Sequence, residues 1–305
     1  MNFAQLLFPD FSLILIGYLI CRFTPLNRPV WTQVEQLVYF LFFPVLLFYA
    51  IIKSPLDISA ASHLVGAGWA LGLGGIALAY SVPYWPGLKG HFAPRQHAGS
   101  AQVAFRFNSF IGLAVADKLA GPQGVAVLAL LIGVSVPLMN IGAVWPMARH
   151  GQKGFARELV RNPLIIGTAA GLAANLAGLR IPGWLEPSVS RIGGASLTLG
   201  LMAAGAGLQL GALNHAKLLG VALLAIKHLL MPLLALALTQ AFGLSPVQTT
   251  ILLMFAALPT ASSCYVLAAR MGYDGPYVAA LVTVSTLLGM LSLPLALGVL
   301  RSAAG

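Results

Sequence analysis

The stretch VAFRFNSFIGLAVADKLAGP, residues 103–122, places polar side chains inside an otherwise apolar segment. Arg106 carries a charge, Asn108 and Ser109 can form hydrogen bonds, and Gly112 follows about one helical turn later. In a bilayer such groups must find partners inside the protein, because the hydrocarbon offers none. The stretch is therefore either a point of helix packing or a buried polar site.

The composition of the chain predicts an all-α polytopic membrane protein. Hydrophobic residues make up 59% of its 305 residues and charged residues only 8%, whereas a soluble domain carries about 25% charged residues. Apolar runs such as 36–52, 122–148 and 276–300 are at or near the roughly 20 residues that cross a bilayer. The net charge of +10 lies mostly in loops, which favours contact with membrane lipid over nucleic acid. Cys21 and Cys264 lack metal-ligand spacing, so we predict neither a metal site nor a cofactor.

Ten membrane spans fit the apolar runs and the turn residues between them. Their predicted limits are 5–22, 34–53, 60–82, 98–119, 122–147, 163–179, 190–211, 216–242, 246–270 and 276–300. With the N-terminus outside, the inside loops hold ten Lys and Arg residues and the outside loops five. The positive-inside rule therefore predicts that both termini lie outside. A basic cytoplasmic linker, 148–162, separates a first five-helix unit, 1–147, from a second, 163–305.

The two units resemble each other at an offset of 154 residues. At this offset the Gly-Pro pair at 121–122 meets the pair at 275–276, and residues 105–122 lie without gaps over 259–276. Because each unit has five spans, an odd number, the second unit would enter the membrane from the opposite side. Inverted repeats of this kind are typical of secondary transporters.

Spans 4 and 9 are equivalent in this repeat, and both are predicted to break near their centres. Pro259 removes a backbone donor from span 9, and small or hydroxylated residues follow it. Broken helices in a membrane must line a cavity, and the N-terminal ends of half-helices favour an anion. The simpler interpretation is that the amide and hydroxyl groups only hold helices together. The residues predicted to bind an anionic substrate are Arg106, Asn108, Ser109, Pro259, Thr260, Ser262 and Ser263.

The basic residues inside predicted spans also need an explanation. Arg106 either contacts the anion or extends to the cytoplasmic surface. Lys227 and His228 lie within span 8 just before Pro232 and are candidates for charge compensation or ion coupling. No acidic residue lies at the centre of a predicted span. Coupling to H⁺ or Na⁺ without a central carboxylate, and uncoupled transport, therefore both stay open.

The segments FNSFIGLAVA, 107–116, and ALPTASSCYVLAARMG, 257–272, resemble the auxin efflux carrier family, which includes bacterial relatives such as malonate transporters. The pattern GYLICR followed by LVYFLFFPVLLF, 37–48, is also similar to the family. The resemblance implies ten helices in two inverted five-helix repeats, with broken spans 4 and 9 crossing at a carboxylate-bearing substrate. It also implies a scaffold of spans 1, 2, 6 and 7 and an elevator-like transport unit of the other six. A homodimer through the scaffold is expected by analogy.

These observations predict a secondary transporter of small organic anions, malonate-like or auxin-like, in the bacterial inner membrane. An enzyme is not expected, because the chain has no nucleophile-elbow, P-loop or metal-binding motif. Three alternatives stay open. They are a channel-like anion pathway without saturation, a membrane sensor that binds a carboxylate without moving it, and a sodium-coupled symporter of the bile-acid type.

Overall fold

The computed structural model describes residues 3–53, 62–91, 93–150, 163–207, 217–261 and 263–300. Every regular element among these residues is helical, so the predicted all-α class is confirmed for this part of the chain. Ser262 and residues 151–162 of the predicted linker lie outside the described residues.

The described part of the first half of the chain contains six helices, and two of them continue into a tighter 3₁₀ turn. They are α1 (Phe3–Phe23), α2 (Arg28–Leu37) with a π-helical turn (Val38–Phe42) into α3 (Phe43–Lys53), α4 (Ser62–Ser81) with a 3₁₀ turn (Val82–Tyr84), α5 (Pro94–Ser100) with a 3₁₀ turn (Ala101–Ala104), and α6 (Ser109–His150). Inside α6 the helix breaks at Ala120 and Gly121, so it consists of two helices joined at a kink.

The second half, as far as it is described, is built in a similar way. Its helices are α7 (Pro163–Leu176), α8 (Glu186–Ala206), α9 (Lys217–Ala225) with a π-helical turn (Ile226–Leu230) into α10 (Met231–Ala241), α11 (Pro246–Ala257), α12 (Ser263–Arg270), and α13 (Gly275–Leu295) with a π-helical turn (Ala296–Leu300).

Prolines and one glycine explain several of these boundaries. Pro94 and Pro246 lie in the first turns of α5 and α11, where a missing backbone N–H leaves no helical hydrogen bond unmade. Pro44 and Pro232 follow the first two π-helical turns, because a proline clashes with the carbonyl four residues earlier and a wider turn relieves the clash. Gly121 has φ +57°, a left-handed conformation that suits glycine and ends the first part of α6.

The helices pack in two groups. In the first group α1 lies along α8, and α3 lies against both α7 and α8. Trp31, Ala203 and Ala206 form a small buried apolar cluster in this group. The second group holds α4–α6 and α9–α13 around a much larger apolar core, to which the first group contributes Tyr39. The second group therefore contains the segments equivalent to predicted spans 4 and 9.

Among the described residues, four helical stretches are long and apolar enough to cross a membrane, and all belong to the second group. They are Ser62–Tyr84, Leu130–Ala148, Lys217–Ala241 and Gly275–Gly298. Leu73, Leu233 and Leu291 on these stretches are exposed, as expected for side chains that face lipid. Predicted spans 4 and 9 are not among the four, because each is divided into shorter helices.

Most predicted span limits coincide with helix ends within a few residues. Two differ more. The helix predicted at 34–53 already begins at Arg28, because Pro29 opens its first turn. The span predicted at 190–211 begins at Glu186, where Pro187 acts in the same way, and its helix ends at Ala206.

The contact between α1 and α8 gives a test of the first group. A Cβ atom at Gly17 would lie 1.9 Å from the Met202 carbonyl oxygen, so the helices touch through backbone. Gly17→Ala should force them apart and lower the free energy of unfolding by about 1–3 kcal/mol. The loss is measured as a lower temperature at which the detergent-solubilised protein aggregates. Gly194→Ala on α8 is the matched control, because no heavy atom lies within 4 Å of its Cβ position. An equal loss in both variants would contradict the close contact.

Candidate functional site

Two non-helical segments interrupt the second helix group. The first follows the 3₁₀ turn Ala101–Ala104 and ends where α6 begins at Ser109. The second lies between α11 and α12, where Leu258 turns away from the helix with ψ 142° ahead of Pro259. The predicted breaks in spans 4 and 9 are therefore present, and all described residues of both segments are buried except Ala261, which is half-buried.

The two interrupted segments cross and bond to each other. The backbone N–H of Asn108 donates to the Pro259 carbonyl at 2.8 Å. In the other direction, the Thr260 hydroxyl donates to the Val103 carbonyl at 2.7 Å. Gln102 Nε2 adds a third connection by donating to the Cys264 carbonyl at 3.1 Å. These bonds give partners to backbone groups that the breaks release from the helices.

Small residues allow this close approach. A Cβ atom at Gly112 would lie 2.8 Å from Leu258 Cδ1, and one at Gly289 on α13 would lie 3.0 Å from Pro259 Cβ. Phe107 fills the space beside the crossing, with its ring centroid 4.2 Å from that of Phe255 on α11. The glycines thus let the Leu258–Pro259 bend sit between α6 and α13.

Asn108 has a structural task that the sequence did not assign to it. Its side-chain Oδ1 accepts a hydrogen bond from the Ile111 N–H at 3.2 Å, as the N-terminal cap of a helix does. Asn108 therefore stabilises the start of α6 from within the crossing. Ser109 and Ser263 are the first residues of α6 and α12 and lie half-buried and buried beside it.

Arg106 lies inside the protein and does not extend to the surface, since only 6% of it is exposed. Its Nη1 donates to Gln102 Oε1 at 3.0 Å and its Nη2 to Asn140 Oδ1 at 3.1 Å. Because a guanidinium group only donates, Asn140 must present its oxygen to it. The Asn140 Nδ2 is left buried without an acceptor among the described residues. Arg106 thus has no carboxylate partner among the described residues, and the Asn140 Nδ2 beside it has no acceptor there.

Lys227 is a second buried basic residue, with 1% of the residue exposed. Within the described ranges its ammonium group forms no ion pair, since the salt bridges found there are Arg28–Glu35 and Lys53–Glu186. Both Arg106 and Lys227 act electrostatically on Cys264, the second residue of α12, which brings the two charges to one region. Burying charge without a counter-ion costs several kcal/mol, so this region favours an anion.

His228 is joined to the crossing through hydroxyl groups. Its Nε2 lies 2.9 Å from Ser285 Oγ, and its Nδ1 lies 2.8 Å from Ser292 Oγ. Ser285 in turn accepts from the Thr260 N–H at 2.9 Å and donates to Thr260 Oγ1 at 3.0 Å. A histidine proposed for coupling on its position in span 8 is thus connected to the span-9 break.

Sequence reasoning missed three polar residues at this site: Gln102, Asn140 and Ser285. Gln102 precedes Arg106 by four residues, a spacing that places two side chains on one helix face. Asn140 is an amide in the apolar run 122–148, a signal as clear as that of Asn108. The position of Ser285 beside Thr260 depends on how α13 packs, and no sequence signal shows it.

Comparison with known proteins points to a membrane transporter. A family described as membrane transport protein matches residues 145–297, about half of the chain, including the interrupted segment between α11 and α12. A protein of Rhizobium meliloti (strain 1021), named "Putative malonate transporter", is 26% identical over 329 aligned positions, which cover 98% of this chain and 96% of the relative. The chain therefore belongs to the membrane transport protein family, the auxin efflux carrier family that its two interrupted segments resemble, and is an integral membrane transporter of a small molecule rather than an enzyme.

Proposed function

We propose that this chain is a secondary transporter of small organic anions, with its substrate site where the two interrupted segments cross. The observation that carries the proposal is the pair of buried cations, Arg106 and Lys227, that no carboxylate among the described residues neutralises. An anion held there would offset their charge. A carboxylate would also accept a hydrogen bond from the Asn140 amide, which lacks an acceptor.

Alternating access is supported by the order of the elements. Two short helices separated by a break occur at 94–119 and again at 246–270, and a long helix follows a Gly-Pro pair in both places. The offset of 154 residues found in the sequence relates the two sets. Ten spans in two inverted repeats would place the crossing near the bilayer midplane, where each side can reach it in turn.

An elevator motion is supported by the two packing groups. The first group, α1–α3, α7 and α8, corresponds to the predicted scaffold, and the second carries the crossing. In the proposed cycle the second group slides along the first while the anion stays in place. Within the first group, helix backbones approach closely at Gly17 and Gly167. Such tight packing suits a scaffold whose helices do not move relative to one another.

The proposed substrate is a small carboxylate of the malonate type. Two positive charges favour an anion with more than one negative charge, and the named function of the relative points to malonate. The proposed location is a bacterial inner membrane, and the positive-inside count supports an orientation with both termini outside. The geometry of the crossing is compatible with coupling of anion transport to either protons or sodium ions.

The crossing is tested by Asn108→Asp. The new side chain keeps an oxygen that can cap α6, so we expect the protein to fold, but it adds a negative charge beside the anion. Uptake of labelled malonate by purified protein in liposomes should fall at least about tenfold, equivalent to about 1.4 kcal/mol. Counterflow of malonate by the wild type would separate a carrier from a channel, and binding without flux would indicate a sensor.

Asn108→Ser serves as the control for the cap, since serine also caps helices well but adds no charge. It should fold like the wild type and retain more uptake than Asn108→Asp. If Asn108→Asp is folded and transports malonate like the wild type, the anion does not bind at the crossing.

Lys227→Met separates anion binding from stability. Methionine has a similar length and no charge, so it removes an uncompensated buried cation. We expect the empty protein to gain stability, by about 1–4 kcal/mol, and malonate binding to weaken about tenfold or more. Thermal unfolding with and without malonate measures both effects.

The Leu229→Met substitution is the matched control, because Leu229 lies on the same π-helical turn but is 62% exposed. It should change neither quantity. A Lys227→Met variant that loses stability and keeps malonate affinity would show that the ammonium group serves the fold and not the substrate.

A further inference from the structure

We propose that His228 is the proton-coupling residue of this transporter: it takes up one proton at Nδ1 when an anion enters the crossing. A hydroxyl chain from its Nε2 connects it to the span-9 break and to Val103, ahead of the span-4 break. The inference rests on the proposed function and deepens it, because it chooses the proton as the coupling ion and names the group that carries it.

The chain has four members, all buried. It runs from His228 Nε2 to Ser285 Oγ (2.9 Å), from Ser285 Oγ to Thr260 Oγ1 (3.0 Å), and from Thr260 Oγ1 to the Val103 carbonyl oxygen (2.7 Å). The Thr260 N–H also donates to Ser285 Oγ at 2.9 Å. His228 is therefore connected to the span-9 break and, through Val103, to the end of the 3₁₀ turn ahead of the span-4 break.

The hydroxyl hydrogens of Thr260 and Ser285 determine which imidazole nitrogen of His228 carries a hydrogen. A carbonyl only accepts, so the Thr260 hydroxyl hydrogen points to Val103. The Ser285 hydroxyl must then donate to Thr260 Oγ1, which leaves it no hydrogen for His228. Nε2 therefore donates to Ser285, and in the neutral ring Nδ1 accepts from the Ser292 hydroxyl. The site for an added proton is Nδ1.

Adding that proton breaks no other hydrogen bond. The Ser292 hydroxyl can rotate and accept from a protonated Nδ1, because a hydroxyl serves as donor or acceptor. The bond from Nε2 to Ser285 stays as it was. Both protonation states of His228 thus fit one geometry, as a residue that is loaded and unloaded in each transport cycle requires.

The charges around His228 make its protonation depend on an anion. Lys227, its neighbour in the chain, is the charged group that acts on the imidazole among the described residues. The π-helical turn packs against α4, α11, α13 and the 3₁₀ turn Ala101–Ala104. None of these four described elements contains Asp or Glu, and their titratable residues are His63, Tyr80 and Tyr277.

A second positive charge beside Lys227 is therefore unfavourable until an anion arrives. By reciprocity, an anion that favours the proton is itself held more tightly when the proton is present. The proton enters from solvent onto the Nδ1 lone pair together with the anion and returns to solvent when the anion leaves on the other side. The two would then be carried in the same direction.

The test measures malonate binding to the purified full-length protein by titration calorimetry between about pH 6.5 and about pH 8.5, where malonate itself is fully ionised. One linked proton predicts that Kd rises about tenfold per pH unit in the wild type. The binding heat should also change with the ionisation enthalpy of the buffer, by the amount for one proton.

His228→Gln is the decisive variant. A glutamine amide can donate towards Ser285 and accept from Ser292, but it does not titrate. We expect it to bind malonate with a Kd that does not change with pH and without proton uptake. If it takes up a proton as the wild type does, His228 is not the coupling residue.

Two neighbouring variants test the chain itself. Ser285→Ala removes the acceptor of the Nε2 hydrogen, which leaves a protonated His228 with one unpaired donor and disfavours its protonation. The change in Kd should then fall below about threefold per pH unit. Thr286→Val is the matched control, because the buried Thr286 hydroxyl donates within its own helix, to the Val282 carbonyl at 2.8 Å. It should keep the tenfold dependence. If the Kd for malonate changes with pH equally in both variants, the role given to the hydroxyl chain is wrong.

Liposome transport distinguishes this inference from the proposed function. If the wild type exchanges malonate but an imposed pH gradient does not drive uptake, the carrier stands and the proton inference fails; a response to a sodium gradient would confirm that failure. If the folded wild type neither binds nor exchanges malonate or other small carboxylates, the proposed function itself fails.

Discussion

Backbone groups released by a helix break inside a membrane need partners within the protein, and the crossing is built around that need. The Asn108 N–H and the Pro259 carbonyl, each freed by its own break, bond directly to each other. Thr260 supplies a hydroxyl to the Val103 carbonyl, and Ser285 receives the Thr260 N–H. Each break needs the other, because each supplies hydrogen-bond partners for backbone groups that the other releases.

The buried charges are satisfied much less completely than the backbone. Arg106 has amide partners but no carboxylate, and Lys227 has no ion-pair partner in the described part of the chain. A stable core does not need such an arrangement, since apolar residues of similar size would cost less. The arrangement is explained if an anion completes it for part of the time, as a transporter requires.

The two helix groups meet close to the crossing. At their contact, Arg270 at the end of α12 lies over the rings of Tyr39 and Phe40, with its guanidinium carbon 5.7 and 4.3 Å from the ring centroids. Since α12 begins at the crossing, a shift of the site relative to the first group would change this cation–π contact directly.

The sequence alone determined the membrane class, the approximate limits of most helices and the places where spans 4 and 9 break. These features depend on local chemistry: apolar runs of sufficient length, the missing N–H of Pro259, and the flexible backbone of Gly121. It also marked Arg106, Asn108 and Lys227, because a polar group in an apolar run is conspicuous. Only the tertiary structure decided how these residues are used. That Asn108 caps α6, that Asn140 holds Arg106, and that Ser285 joins His228 to Thr260 all depend on contacts between segments distant in the chain. A serine in a helix gives no signal of its partner, since hydrogen-bond geometry is set by packing and not by spacing along the sequence.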